Sequence, residues 1–355
     1  MAIAKIVIEN FRGIQSLNLS NLPQVVLLGG RNGCGKTSVL EALALFASEE
    51  RIGALLRMNR LRLYPLQTMA SIPSVFYRNI QEQSIQIAGG SSDGKEWRVR
   101  YRITEREAFD YSTAIEQEQV AYGASLALVA EVDFFQGGDW KLKQRFQGVD
   151  IGEGRWNIRQ DFISKGLDAR ISNVLLASST TAFTDFNALK DAIVQGGERI
   201  IVDALRKIDG RIRGIQLVGD RVMVELDGIE QLLPLQSIGD GLQKVVRVLA
   251  FLYLVRDGGI LCIDELGNGL HYSACRVVWD AILSFVQRYK NVQVFITTHW
   301  NEILTSAVEA YENLGGQKDF CYINLVKNYK SGSIDPVCYA FEALKSALSL
   351  GMEVR

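Results

Sequence analysis

Gly30-Arg31-Asn32-Gly33-Cys34-Gly35-Lys36-Thr37 decides how the rest of the chain is read. It fits the spacing Gly-x-x-x-x-Gly-Lys-Ser/Thr. An apolar run over residues 24–29 leads into it, and a helical pattern over Lys36–Ala47 leads out. Glycines at this spacing let backbone N–H groups turn inward around a phosphate chain. The helix start that follows favours anions. In that setting Lys36 reaches the outer phosphates of a nucleotide, and the Thr37 hydroxyl offers a ligand to Mg²⁺. Residues 30–37, with Ser38 beside them, form the candidate nucleotide cradle, so ATP and Mg²⁺ are the expected cofactors.

Three further stretches supply chemistry. Ile260-Leu261-Cys262-Ile263-Asp264-Glu265 is four apolar residues followed by two carboxylates. A buried strand ending this way puts both acids at the carboxyl edge of a sheet, where open α/β folds bind ligands. Asp264 is then placed to hold Mg²⁺, directly or through water, and Glu265 to act as general base on the attacking water. Thr297-Thr298-His299 ends the next apolar strand, which places His299 to hydrogen-bond an outer phosphate and sense its loss. Ser237-Ile238-Gly239-Asp240-Gly241 opens the helix before the acidic strand. Two readings stand for it: an anion site at which Ser237 and the positive helix end meet a phosphate, or a plain N-cap by Ser237 or Asp240.

From residue 235 the texture is α/β. Apolar strands over 260–263 and 292–297 alternate with helices over 240–256, 272–289 and from Asn301, which implies a mostly parallel sheet covered on both faces. The first half reads differently. Strands are expected over 2–9, 13–20 and 125–135, with one or two more within 139–158. A hairpin is expected over 84–88 and 96–103. Helices are expected near 160–172 and 185–208, and a second hairpin over 214–218 and 221–226. A strand pair with a closing helix is expected over 320–355.

Across 355 residues, 39 Lys+Arg stand against 40 Asp+Glu, a formal net charge of −1. That excludes a protein that coats nucleic acid through bulk charge. The composition, 48% hydrophobic and 22% charged, is globular. The longest apolar run, residues 248–255, falls short of the roughly 20 residues of a membrane span. Lys5 and Glu9 interrupt the N-terminus too early for a signal-peptide core. Cys34, Cys262, Cys275, Cys321 and Cys338 show no CxxC spacing, and the two histidines, His271 and His299, are too few for a multi-histidine metal site. A reduced, cytoplasmic chain without a membrane partner is expected.

In order and spacing these motifs resemble the ATP-binding-cassette (ABC) type of P-loop ATPase. The Asn32-Gly33 pair and the leader Ile8-Glu9-Asn10-Phe11-Arg12-Gly13 look like the RecF, SMC and OLD (overcoming lysogenization defect) branch. Glu265-Leu266-Gly267-Asn268-Gly269-Leu270-His271-Tyr272, SIGDGLQ, FITTHWNEI and ALSLGMEVR resemble stand-alone OLD-like AAA-family ATPases lacking a Toprim nuclease domain. The resemblance implies an α/β ABC-type head with an antiparallel β lobe, a mostly parallel lobe and a helical insertion. The implied organisation is a single head over 1–355, with an N-terminal lobe at 1–158, a helical/β insertion at 159–230 and a C-terminal lobe at 231–355. It further implies a homodimer that sandwiches two ATPs. Ser237 and Gly239 would complete the partner's site, and Asn268 and Gly269 would touch the partner's matching loop.

The resemblance also implies that Arg12 contacts nucleotide phosphate or ribose; a solvated turn residue is the other reading. Three features depart from transporter ATPases. The signature is not Leu-Ser-Gly-Gly-Gln, the stretch between Lys36 and Ser237 is long, and Gln136 is the sole candidate for a glutamine loop.

Three basic stretches are candidates for DNA contact: Arg51/Arg57/Arg60/Arg62, Lys141/Lys143/Arg145 and Arg206/Lys207/Arg211/Arg213. They read either as phosphate contacts, if they converge on one surface, or as solvated faces. The expected function is an ATP hydrolase working as a nucleotide-dependent dimerisation switch in DNA maintenance or anti-phage defence, with a separate nuclease or toxin effector. The alternatives are an ATP-binding DNA clamp with little turnover and an ATPase subunit of a membrane transporter.

Overall fold

The computed structural model describes residues 2–48, 51, 54–55, 72–79, 83–107, 126–150, 156–164, 174–177, 182–219, 221–315, 319–352 and 354. Strand β3 (Val25–Gly29) and helix α1 (Lys36–Ala47) flank the phosphate loop. β3 is buried along its whole length, and its residues alternate between two cores, as a period of two dictates. Val25 and Leu27 pack with residues of α4 (Asp240–Leu254), α5 (Tyr272–Arg288) and α6 (Asn301–Leu314). Val26 and Leu28 pack on the opposite face with α1. β13 (Gly259–Ile263) and β14 (Val292–Thr297) repeat the pattern: Leu261, Ile263, Val294 and Ile296 face the first core, Ile260, Cys262 and Phe295 the second. A strand covered on both faces reads as a continuous apolar run.

β14 pairs in parallel with β3 and with β13. β9 (Val174–Ala177) adds to the far side of β13, and β15 (Phe320–Lys327) adds to the other side of β3, both parallel. Beyond β15 the sheet continues through β16 (Ser333–Tyr339), β2 (Ile14–Leu19), β1 (Ile3–Phe11), β4 (Ile85–Ser91), β5 (Glu96–Glu107), β6 (Leu126–Gln136), β7 (Asp139–Asp150) and β8 (Trp156–Ser164). From β2 outward every pairing is antiparallel. Among the described residues the result is one thirteen-stranded mixed sheet. Gln293 fastens its two regions: its buried amide bonds both N–H and C=O of Ile3 at 2.9 Å. A smaller sheet of β10 (Ile212–Val218), β11 (Arg221–Leu226) and β12 (Leu233–Pro234) packs with α2 (Ala182–Val194) and α3 (Glu198–Arg206) into the same core as α4. A closing helix, α7 (Phe341–Ser349), follows β16.

Two expectations need correction. Residues 156–164 form strand β8, not the start of a helix near 160–172, because they pair with β7 over nine positions. Residues 165–172 lie outside the described residues. The helix expected over 185–208 is two helices, since Gly196 turns left-handed at φ 91° and the N–H of Gly197 closes back on the Ala192 carbonyl at 2.7 Å. Among the described residues, no helix is long and apolar enough to cross a membrane.

Candidate functional site

The phosphate loop starts where β3 ends. Gly30 holds φ at 126°, and an added Cβ there would meet the Leu325 carbonyl at 2.7 Å and Cys34 Sγ at 2.8 Å. Only glycine fits between the loop and β15. Lys36 is buried, and its ammonium donates to the Gly30 carbonyl at 2.9 Å and the Arg31 carbonyl at 3.5 Å. The cation is therefore held inside the loop it serves. Arg31, Asn32 and Gly33 are exposed at the crest, whereas Cys34 and Ser38 turn inward. Burial pushes the Cys34 thiol pKa up against the pull of Lys36, which keeps the sulfur protonated. Gly35 forms the left-handed cap that opens α1.

The parallel register sets Asp264 next to this loop. The Thr37 hydroxyl donates to the Asp264 carboxylate oxygens at 3.0 and 3.1 Å. Thr297, at the end of β14, donates to Asp264 Oδ1 at 2.7 Å and accepts from the Glu265 N–H at 2.8 Å. Glu265 adopts φ 52°, a left-handed backbone that residues with side chains seldom take and that recurs at functional sites. Its Oε2 lies 2.5 Å from His299 Nδ1. Five residues, from the start of α1 and the ends of β13 and β14, thus form one connected cluster: Thr37, Asp264, Thr297, Glu265 and His299.

The signature segment stands apart from that cluster. Ser237 closes a short 3-10 turn, and Gly239 caps α4 with φ 87°. Both are exposed, and no side chain caps the helix, so neither Ser237 nor Asp240 acts as the plain N-cap. Lys244, further along α4, donates to the Glu265 carbonyl at 2.5 Å and to the Asn268 carbonyl at 2.9 Å. Burial lowers its pKa to about 8, with repulsion from Arg247 adding to the effect and Glu265 and Asp264 opposing it. Arg12 does not reach into solvent: its Nε sits 2.6 Å from Glu41 Oε2 on α1, with both side chains almost covered.

Residues 25–305 match the family described as "AAA domain, putative AbiEii toxin, Type IV TA system". The chain belongs to that family. It is therefore a nucleotide-binding P-loop domain of the AAA ATPase type. An "ATP/GTP phosphatase" of Helicobacter pylori is 21% identical over 339 residues, covering 90% of each chain. A "DNA replication and repair protein RecF" of Actinobacillus pleuropneumoniae is 46% identical over 43 residues, 12% of each chain. A crystal structure of an Smc head bound to the C-winged helix domain of ScpA superposes with a TM-score of 0.53 at 12% identity, covering 96% of this chain and 99% of that one. An Smc head with an extended coiled coil, bound to the C-terminal domain of ScpA derived from Pyrococcus furiosus, gives 0.52 at 10% identity, covering 98% of each. The fold of this AAA domain is that of the SMC head.

Other candidates fall outside the cluster. Gln136 ends β6, seven strands from β3 in the sheet order. Arg51 is buried with its guanidinium 4.0 Å from the Phe134 ring centre, so it offers nothing to a nucleic acid. Arg57, Arg60 and Arg62 lie outside the described residues. Arg211 pairs with Asp209, and Arg213 with Asp227. Lys143 lies over the Trp140 ring, and Arg145 sits 3.8 Å from Glu131. No motif in the sequence assigns a role to Thr297 or Lys244. Thr297 was within reach, because a polar residue closing a buried strand beside an acid-tipped one needs a partner. Lys244 left no such signal, since its acceptors are backbone carbonyls.

Proposed function

We propose that this AAA-domain chain hydrolyses ATP and uses nucleotide binding to drive its own dimerisation, as an OLD/RecF-like switch. The observation that carries this reading is the connected cluster at the strand ends. It joins a phosphate-loop hydroxyl, a buried carboxylate and a second carboxylate paired with histidine. A pure nucleotide binder has no need of the last pair. The Helicobacter pylori relative, named as a phosphatase of ATP and GTP, supports the same chemistry.

The donors around Asp264 suit Mg²⁺, a hard cation that takes oxygen ligands and relies on substrate phosphates and water for the rest of its shell. Thr37 and Asp264 would hold it, and it would neutralise charge on the transferring phosphoryl group. The chain's own residues do the remaining work. The phosphate-loop N–H groups and the start of α1 hold the phosphate chain, and Lys36 shifts from the loop carbonyls to the outer phosphates. Glu265 accepts a proton from water through its carboxylate, and His299 fixes the direction of that carboxylate. Thr297 holds Asp264 and the Glu265 backbone in register. Ser237 and Gly239, exposed at the start of α4, would face the nucleotide of a second copy.

The proposed setting is DNA maintenance or anti-phage defence with a separate nuclease or toxin effector. The toxin–antitoxin wording of the family description, the RecF relative and the Smc-head fold all support it. The test is ATP turnover per protomer across protein concentration, with and without duplex DNA. Turnover rising with concentration and again with DNA is expected. Turnover flat in both removes the switch and the DNA role, and binding without turnover removes hydrolysis.

A further inference from the structure

We propose that Lys244 positions Glu265, fastening the backbone of the general base to the helix that follows Ser237 and Gly239. The proposal rests on the reading of Glu265 as the base.

The geometry is two-sided. The N–H of Glu265 is held by Thr297 from β14, and its C=O is held by Lys244 from α4. Fixing the peptide groups on either side of one Cα fixes φ and ψ there. At φ 52° that backbone is one the residue does not hold for free. The aim of the carboxylate toward His299 follows from it. Lys244 also bonds the Asn268 carbonyl, so one ammonium gathers both ends of a four-residue turn. The first turn of α4 presses on the same segment: an added Cβ at Gly241 would lie 3.0 Å from the Gly269 carbonyl. The signature end of α4 is thus tied to the 265–268 turn and to Gly269 beside it. A phosphate drawn against Ser237 and Gly239 biases the Glu265 of the same chain, and so couples the two sites of a dimer.

Lys244→Met in the full chain keeps the packed stem and removes the donors. The expected result is unchanged binding of a fluorescent ATP analogue, unchanged KM, and kcat lower by about 10- to 100-fold, the scale of a misplaced reacting group. Lys244→Arg, which keeps donors and charge, should recover most of that loss. Thermal unfolding exposes a merely structural staple: a lower Tm with unchanged kcat overturns the proposal. If the Met variant does not fold, Lys244→Gln is read for the same split between kcat and KM.

Mixing variants locates the action. Lys244→Met mixed with Ser237→Ala should turn over faster than the two alone combined, because one site of the mixed dimer keeps its own Glu265 and an intact partner signature. No gain in this mixture, while Glu265→Gln mixed with Ser237→Ala does gain, overturns the proposal. An inert wild type overturns the hydrolase reading and this inference with it; a wild-type rate from Lys244→Met overturns this inference alone.

Discussion

The two regions of the large sheet put the same backbone ladder to different ends. β3, β13 and β14 are short and buried at every position, so their side chains are used up in packing. Only their carboxyl ends are free to carry chemistry, and the parallel register lines those ends up. The antiparallel ribbon is built the other way. On β5, Trp97, Val99 and Tyr101 point to the core while Arg98, Arg100 and Arg102 point outward. Arg100 and Arg102 share Asp133 on β6 at 3.0 and 2.8 Å, and Arg102 also approaches Glu131. A one-sided sheet spreads its polar groups along a face, whereas a two-sided one concentrates them at an edge.

Four substitutions put that contrast to the test. Lys36→Ala removes the one cation held inside the phosphate loop. Nucleotide affinity should fall by at least about 100-fold, as for a charged partner deleted from a covered site. A fluorescent nucleotide titration measures it, and near-normal affinity would place the phosphate site elsewhere. Glu265→Gln should leave binding intact and lower turnover by about 100-fold or more, the contribution of a general base. Light scattering with ATP should then find a lasting dimer, and a wild-type rate would strip Glu265 of its role.

Phe295→Ala tests packing alone. It sits fully buried in the two-sided region and should cost about 3–5 kcal/mol in urea unfolding. Glu131→Ala on the ribbon removes a half-exposed partner of Arg102 and Arg145. It should cost no more than about 1 kcal/mol. Equal losses from these last two would erase the distinction between the regions.

The parallel region was legible because each of its strands announces itself twice, by a continuous apolar run and by the chemistry at its tip. The limits of α1 and β14 follow from the residues alone, as does the hairpin of β4 and β5. Legibility fell where long-range pairing outweighs local pattern. Trp156–Ser164 becomes a strand because β7 lies alongside it, and β9 is four apolar residues that only the edge of β13 makes into a strand. Within the site, Lys36, Thr37, Asp264, Glu265 and His299 were each nameable from motif spacing. Their mutual bonds were not, and neither was the pairing of His299 with Glu265 rather than with a phosphate alone. The covered ion pair of Arg12 with Glu41 joins residues on different elements, a contact that no local spacing encodes.

The position of β3 between β14 and β15 carries a consequence for timing. The strand emerges from a ribosome early, yet its two neighbours comprise residues 292–297 and 320–327. Contacts so distant along the chain form late, whereas the hairpins from β4 to β7 join neighbours in sequence and can assemble during synthesis. A nascent chain stopped short of residue 292 carries the phosphate-binding motif without the sheet that shapes it. The sheet around the phosphate loop is therefore closed on both sides of β3 only after residues 320–327 have been made.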